Sequence, residues 1–343
     1  MEIPIAYDAR LFVTPKEARR RVTNKVKRWS AAQAPGLARF RIWGMWRRSP
    51  ELAPGDQVMA LTGERGAGKT WLLRHLAEQE YRTARCALYL DLEERRQNLR
   101  VEDYVQGVEE RIRKACGADP ALLLLDHVPP QLDEHLKVLE DIVLRPHLAH
   151  RRSLVIMALA HPAQVCWRAP ALRGGQVLAL PPFDEAETRA QLRQLEKAGS
   201  TTPLPPSPDL LQLSEGLPLL NYLLATRGRS EAYELLLEYW FSRVPADERH
   251  RVRGYLDAVC NLETLEHVSI QRMLEVYHHY WFEAPVPLAH AGGVRNVLRK
   301  YWLAGPAPDA PGRIILIGSV RRAAQEVLRA RNAELASALE AVA

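Results

Sequence analysis

The sequence predicts an α/β protein: a parallel β-sheet with helices on both faces, followed by a small α-helical lid and a C-terminal winged-helix domain. Two observations lead to this fold class. Short, continuously apolar strands alternate with helices between residues 57 and 183, a pattern typical of a buried parallel sheet. Beyond residue 183, helices predominate until a turn-rich stretch and one late strand. A chain of 343 residues suits two or three domains.

The elements follow in order along the chain. Residues 15–32 predict a helix, with Val22, Val26 and Trp29 on one face, and residues 40–48 predict a strand or hairpin. Strands are expected at 57–61, 86–92, 121–126, 153–160 and 176–183, with helices at 69–81, 101–116 and 132–143. Later helices are expected at 184–199, 209–216, 217–228, 229–241, 246–260, 268–280 and 291–303, before a strand at 313–318 and a final helix at 320–343.

These elements divide the chain into four predicted segments. They are a basic N-terminal extension (1–50), the sheet-containing core (51–182), the helical lid (183–228) and the winged-helix domain (229–343). The order of three helices and then a hairpin-like wing predicts the last of these.

Composition excludes several classes of protein. With 47% hydrophobic and 26% charged residues, the chain is typical of a globular protein rather than a disordered one. No apolar run is long enough to span a bilayer, and the first residues lack the features of a signal peptide, so we expect a cytoplasmic protein without a membrane partner. The cysteines are far apart and are expected to be reduced thiols: Cys86, Cys116, Cys166 and Cys260.

A glycine-rich motif predicts a phosphate-binding loop. Residues 63–70, GERGAGKT, match the pattern GxxxxGK[ST] between a predicted strand and a predicted helix. Glycines let backbone N–H groups converge on phosphate oxygens, next to the positive end of the helix dipole. Lys69 is expected to reach the β- and γ-phosphates of ATP, and Thr70 to bind Mg²⁺. The predicted nucleotide-binding residues are Gly63, Glu64, Arg65, Gly66, Ala67, Gly68, Lys69, Thr70 and Trp71.

A second motif, ALLLLDH at residues 121–127, predicts a central strand that ends in an acid. Asp126 is expected to bind Mg²⁺, directly or through water, and to take part in catalysis. His127 stands where a hydrolysing enzyme usually carries a second acid. It is a candidate to position water or to contact the γ-phosphate, and the alternative is that it only covers the end of the strand.

Charge is unevenly distributed. Residues 1–50 contain 12 Lys/Arg and 3 Asp/Glu, a local net charge of +9 in a chain of net charge +6. Such a patch binds nucleic acid or an acidic protein, or serves only solubility. Residues 292–302, GGVRNVLRKYW, predict either a DNA recognition helix, with Arg295, Arg299 and Lys300 at helical spacing, or a solvated helix face.

The ordered motifs resemble those of the STAND class of P-loop NTPases, relatives of AAA+ proteins that include NB-ARC and NACHT ATPases. The resemblance covers residues 50–343 and rests on GERGAGKT, LLLLD, SLVIMALAHP, LALPPFDEAE, GLPLL (216–220) and the trailing winged helix. It implies that Pro218 packs near the adenine of ATP or ADP. It also implies a switch that changes conformation or forms homo-oligomers with ATP, and signals through a separate effector or sensor chain.

The chain departs from this family at defined positions. His127 replaces an acid, His161 stands where many relatives place a γ-phosphate-sensing arginine, and Ile317-Gly318-Ser319 replaces a Met-His-Asp motif. Residues 11–17, LFVTPKE, resemble the adenine-side motif LFVGR without its Gly and Arg. These departures imply slow ATP hydrolysis. The alternative function is that of a nucleic-acid-binding AAA+-like ATPase (an initiator, a loader or a transposition regulator) that contacts DNA through residues 15–48 and 292–302.

Overall fold

The computed structural model describes residues 8–33, 54–80, 86–93, 99–117, 119–128, 133–149, 153–159, 167–199, 206–242, 244–281, 289–307, 310 and 312–343. The strand or hairpin predicted at 40–48, and His161, lie outside these residues. Within the described residues, the chain divides into two compact units, Tyr7–Gln194 and Leu195–Ala343. Each unit is described by itself.

A five-stranded sheet forms the centre of the Tyr7–Gln194 unit. Its strands are β1 (Val58–Thr62), β2 (Ala87–Asp91), β3 (Leu122–Asp126), β4 (Leu154–Ala158) and β5 (Gln176–Ala179). All neighbours are parallel, in the spatial order β2-β3-β4-β1-β5. Every residue of β1, β3 and β4 is buried, which confirms the prediction from their apolar runs. Parallel pairing places the carboxyl ends of all five strands at one edge.

Helices cover both faces of this sheet. One layer contains α1 (Lys16–Gln33) and α2 (Lys69–Glu80). The other contains α3 (Val101–Cys116) and α4 (Glu134–Leu139), which continues through a π-helical turn (Glu140–Leu144) into α5 (Arg145–Ala149). A short helix, α6 (Pro170–Arg173), precedes β5. Strand β3 serves both layers, because Leu122 and Leu124 pack into the first and Leu123 and Leu125 into the second.

Helix α1 is an integral part of the sheet unit. Its apolar face packs into the same core as β1, β4 and α2, with Ala18, Val22, Val26 and Trp29 between 0% and 3% exposed. The helix therefore packs on the sheet, although the sequence predicted it to be part of a basic N-terminal extension. The predicted boundaries at residues 50, 182 and 228 stay predictions.

Removing the largest of these side chains should destabilise the sheet unit. We expect Trp29→Ala to lower the free energy of unfolding by about 3–5 kcal/mol, because a buried indole leaves a cavity that the core fills only partly. Urea denaturation followed by circular dichroism measures the change. Asn24→Ala, on the exposed side of the same helix, should change stability by less than about 0.5 kcal/mol. Equal midpoints for the two variants would contradict the observed packing of α1.

The Leu195–Ala343 unit is mainly helical. Helix α7 (Glu185–Lys197) leads into it, followed by α8 (Ser207–Ser214), α9 (Pro218–Arg227), α10 (Arg229–Phe241), α11 (Ala246–Val259), α12 (His267–Trp281) and α13 (Ala289–Lys300). An antiparallel pair, β6 (Ala304–Pro306) and β7 (Ile314–Leu316), comes next, then α14 (Gly318–Arg331) and α15 (Ala333–Val342). The last two correct the single final helix expected at 320–343. Asn332 interrupts it, and its side chain caps α15 by accepting a hydrogen bond from the Leu335 N–H.

Ion pairs join helices that are distant in sequence within this unit. Arg229 pairs with Glu326 at 2.8 Å, and Arg331 pairs with Glu234 at 2.6 Å, so α10 is tied to α14. Arg322 of α14 pairs with Glu215 at the end of α8. The part of the predicted lid from Leu195 onwards therefore belongs to the same unit as the helices that follow it, whereas residues 183–194 belong to the sheet unit.

The cysteines differ from the sequence-based expectation. Cys86 and Cys116 form a disulfide, with Cα atoms 5.4 Å apart, whereas reduced thiols were expected. The physical reason is the fold. Cys86 precedes β2, and Cys116 ends α3, which packs against that strand. The two cysteines are therefore close in space although 30 residues apart in the sequence. Cys260 is a buried free thiol, and Cys166 lies outside the described residues. Across the described residues, no helix combines the length and apolarity that crossing a bilayer requires.

Candidate nucleotide site

The glycine-rich loop lies between β1 and α2, as predicted. Gly63, Gly66 and Gly68 have φ angles of 144°, 94° and 90°, a region that other residues rarely occupy. A Cβ on Gly63 would also lie 3.3 Å from the Leu180 carbonyl oxygen, so the loop packs closely against the segment after β5. Gly66 and Gly68 therefore meet a conformational requirement, and the loop has the shape that the motif demands.

Hydrogen bonds within the loop hold this shape. The Lys69 ammonium group donates to the carbonyl oxygens of Gly63 and Glu64, at 2.6 Å and 2.7 Å. The Ala67 N–H donates to the same Glu64 carbonyl at 3.1 Å, which closes a turn. Helix α2 begins at Lys69, so the positive end of its dipole adjoins the loop. The loop is thus a turn at a helix N-terminus with a cationic side chain folded over it.

Asp126 is almost completely buried, at 1% exposed, at the carboxyl end of β3. Its Oδ2 accepts a hydrogen bond from the Tyr89 hydroxyl at 2.7 Å, and its Oδ1 accepts one from the His127 N–H at 2.9 Å. These two bonds fix the carboxylate, and each oxygen retains a lone pair. The hydroxyl of Thr70 has no hydrogen-bond partner among the described residues. A fixed carboxylate and a threonine hydroxyl are hard oxygen ligands of the kind that Mg²⁺ prefers, so these residues fit the ion.

His127 makes a specific contact that the sequence does not reveal. Its Nδ1 lies 2.9 Å from Oδ2 of Asp91, the residue that ends β2. The His127 backbone has a φ of 49°, in the left-handed region, which is uncommon for a residue other than glycine. A turn of this kind directly after Asp126 swings the imidazole towards the neighbouring strand. The contact joins the ends of β2 and β3, and a role for His127 in catalysis stays a prediction.

The charges around this cluster shift two pKa values. Burial acts to lower the pKa of His127, but the hydrogen bond to Asp91 and the negative charges of Asp126, Asp91 and Glu93 outweigh it, and the pKa is raised. Burial, and then the charge and the hydrogen bond of Asp126, raise the pKa of Tyr89, so its hydroxyl stays protonated and donates to the carboxylate.

Sequence analysis missed three residues of this cluster: Tyr89, Asp91 and Arg74. Asp91 and Asp126 are register partners on adjacent parallel strands, and the Arg74 guanidinium of α2 lies 5.1 Å from the centre of the Tyr89 ring. One signal was available. The strand CALYLDL ends in an acid just as ALLLLD does, and the carboxyl ends of parallel strands meet at one edge of the sheet.

The remaining predicted site residues lie elsewhere. Pro218 is buried at the first turn of α9, and Ile317 to Ser319 begin α14, both in the Leu195–Ala343 unit. Near the N-terminus, Phe12 of the LFVTPKE segment stacks on His75 of α2, with ring centroids 4.2 Å apart. Val13, Thr14 and Lys16, together with α7, line a cavity of about 270 Å³. The role of Pro218 beside adenine stays a prediction.

Comparison with known protein families gives one match. Residues 55–148 match the model described as an AAA domain. The matched segment runs from the start of β1 into α5 and contains the loop, Asp91, Asp126 and His127. This part of the chain is therefore similar to the AAA domain family. A STAND or NB-ARC assignment stays a prediction, and the search of curated proteins found no match.

Several solved structures match most of the chain at low sequence identity. Orc1 of Aeropyrum pernix in complex with DNA is 15% identical, with 94% of this chain and 95% of that chain covered and a TM-score of 0.43. A RuvB variant of Thermotoga maritima is 12% identical, with 90% and 93% covered and a TM-score of 0.43. The replication initiator DnaA bound to AMPPCP and single-stranded DNA is 16% identical, with 87% and 94% covered and a TM-score of 0.44.

Proposed function

We propose that the protein is an ATP-binding AAA-type ATPase with slow hydrolysis that acts on nucleic acid. One observation carries the nucleotide part: the preformed loop with Lys69 folded over it, at the N-terminus of α2. Such a loop at a helix N-terminus is an anion site, and this lysine supplies a cation for the β- and γ-phosphates.

Within this proposal each residue has a defined role. The backbone of Gly63 to Gly68 surrounds the phosphates, and Lys69 binds their outer oxygens. Thr70 and Asp126 hold Mg²⁺, with Tyr89 fixing the orientation of the Asp126 carboxylate. Bound Mg²⁺ would neutralise charge on the phosphates. The absence of a NKxD motif from the sequence favours ATP over GTP.

Slow hydrolysis follows from the residue after Asp126. Carboxylates are good bases for attacking water, and here that position holds an imidazole whose Nδ1 is already bonded to Asp91. His127 therefore has only Nε2 to offer to water or to the γ-phosphate. We expect turnover well below the range of about 1–100 s⁻¹ that is typical of kinases.

Two surfaces support the nucleic-acid part. Helix α1 contains seven Lys/Arg and one Glu. In the C-terminal unit, three helices (α11, α12 and α13) precede the β6–β7 hairpin, the element order of a winged helix. On α13, Arg299 and Lys300 are exposed, whereas Arg295 is half-buried, and Lys300 pairs with Glu248 at 3.2 Å. The pairing of Lys300 leaves α1 as the more strongly cationic of the two surfaces.

Nucleotide and DNA binding should be measured on the same preparation. We expect fluorescent ATP and ADP to bind in the presence of Mg²⁺. We also expect the affinity for a 20-base-pair duplex to differ between ADP and a non-hydrolysable ATP analogue. Fluorescence anisotropy at several salt concentrations reports both. Tight nucleotide binding with no duplex binding in either state would overturn the nucleic-acid part and leave the ATPase part standing.

The second candidate is a STAND-like switch, which the bonded His127 favours because a switch benefits from long-lived ATP. In this function, ATP promotes a changed conformation or a homo-oligomer that signals to a separate effector or sensor chain. Size-exclusion chromatography with light scattering, in ADP and then in a non-hydrolysable ATP analogue, tests it. An unchanged mass and shape in both states, with partner present, counts against the switch.

A further inference from the structure

The exposed face of α1 carries a line of cations. Its members are Arg20, Arg21, Lys27 and Arg28, which we call the α1 stripe; all four are exposed. They lie within about 120° of one another around the helix, opposite the buried apolar face. Seven Lys/Arg against one Glu give α1 a net charge of +6, as large as that of the entire chain. The net charge of this one helix therefore equals the net charge of the chain, and the remaining residues sum to about zero.

The α1 stripe is held in place and only lightly neutralised. Four buried residues fix α1 on the sheet, so the cations form part of a rigid surface and not of a loose tail. Arg20 pairs with Glu17 at 2.7 Å, an exposed pair of small energetic value. Within the described part of the chain, Arg21, Lys27 and Arg28 form no ion pair.

Lys25, next to the stripe on α1, is an example of a cation that contributes to the fold. It is mostly buried, it faces Asp56 at 3.9 Å, and burial lowers its pKa. A cation that serves the fold therefore has an acid opposite it on this helix. Among the described residues, three of the four stripe residues have no acid opposite them, although leaving like charges close together on one helix costs stability.

We propose that the α1 stripe binds the sugar-phosphate backbone of duplex DNA, an inference that rests on the proposed nucleic-acid function. Charge complementarity and rigidity argue for a polyanion with regularly spaced charges. The absence of exposed aromatic residues on α1 favours duplex DNA over single-stranded DNA. Single-strand binding proteins stack bases on aromatic side chains, and the only aromatic residue of α1, Trp29, is 3% exposed in the core. The stripe thus positions DNA without reading its sequence.

Replacing the four stripe residues by glutamine should remove this contact from the full-length protein. Each lost phosphate contact lowers the slope of log Kobs against log[salt] by about 0.9, so R20Q/R21Q/K27Q/R28Q should reduce the slope by about 3–4. Between 50 and 200 mM salt, the wild-type protein should therefore lose about a hundred-fold more affinity for the duplex than the stripe variant loses. A 20-base-pair duplex is long enough, because α1 spans about 27 Å and each base pair about 3.4 Å.

Two matched variants serve as controls. R113Q/K114Q/R173Q/K197Q removes the same charge from four exposed positions on other helices. Its slope of log Kobs against log[salt] should stay close to that of the wild-type protein. R20K/R21K/R28K keeps the charge and should keep the slope, since a phosphate backbone requires a cation and not the guanidinium fork. Fluorescent ATP should bind to all of these variants as it does to the wild-type protein.

The outcomes separate this inference from the function on which it rests. A stripe variant with the wild-type slope would overturn the α1 contact while DNA binding stands. Equal losses in the stripe variant and the charge-matched control would also overturn it, because bulk charge would then explain binding. If the wild-type protein binds an acidic polypeptide through the stripe but no duplex at 50 mM salt, both the inference and the nucleic-acid function fail.

Discussion

Lys69→Ala should abolish measurable ATP binding. In the proposed site, the ammonium group contacts the β- and γ-phosphates, and hydrogen bonds to charged groups contribute about 1.5–3 kcal/mol each. We therefore expect the Kd for ATP to rise by at least about 100-fold, which corresponds to about 2.7 kcal/mol. Anisotropy of a fluorescent ATP analogue, or isothermal titration calorimetry, measures the change. ADP should be affected less, because it lacks the γ-phosphate.

Lys69 also bonds the loop itself, so the fold of the variant needs its own check. Loss of the bonds to the Gly63 and Glu64 carbonyls exposes these oxygens to water, and the melting temperature should change little. Lys114→Ala, an exposed lysine on α3, is the matched control and should bind ATP as the wild-type protein does. Wild-type affinity in a folded Lys69→Ala variant would mean that ATP binds elsewhere.

Restoring an acid after Asp126 should accelerate hydrolysis. A positioned general base contributes about 10²–10⁴-fold to a rate, so His127→Glu has room to raise kcat. The structure adds a condition. Asp91 lies beside position 127, and a glutamate there would meet a second carboxylate and be held protonated in part. The kcat of H127E/D91N should therefore exceed that of the wild-type protein by about 100-fold. The kcat of H127E alone should lie between those of the double variant and the wild-type protein.

Steady-state phosphate release separates rate from binding. The Kd for ATP should change by less than about threefold in these variants, because in the proposed site the loop and Lys69 supply most of the phosphate contacts. His127→Gln, which keeps the size but supplies no base, should be no faster than the wild-type protein. A wild-type kcat of many ATP per second would contradict the proposed slow hydrolysis. An H127E/D91N variant slower than H127E would contradict the assigned part of Asp91.

The accuracy of the sequence-based prediction varied with the range of the interactions involved. The strands, the glycine loop and α3 follow from apolar periodicity and short motifs, which are local properties. The Cys86–Cys116 disulfide and the Asp91–His127 contact do not, because each joins residues from different elements. Asn332 was missed for another reason: the surrounding residues favour helix strongly, and one capping side chain ends it.

The sequence by itself determined that this chain has a P-loop, a central apolar strand ending in Asp126, and an excess of cations near its N-terminus. Spacing and composition suffice for such features, since each depends on residues close in sequence. Only the tertiary structure decided that His127 is bonded to Asp91 and that the basic helix α1 is anchored on the five-stranded sheet. Both depend on strand order and on helix packing, which bring together residues that the sequence keeps tens of positions apart.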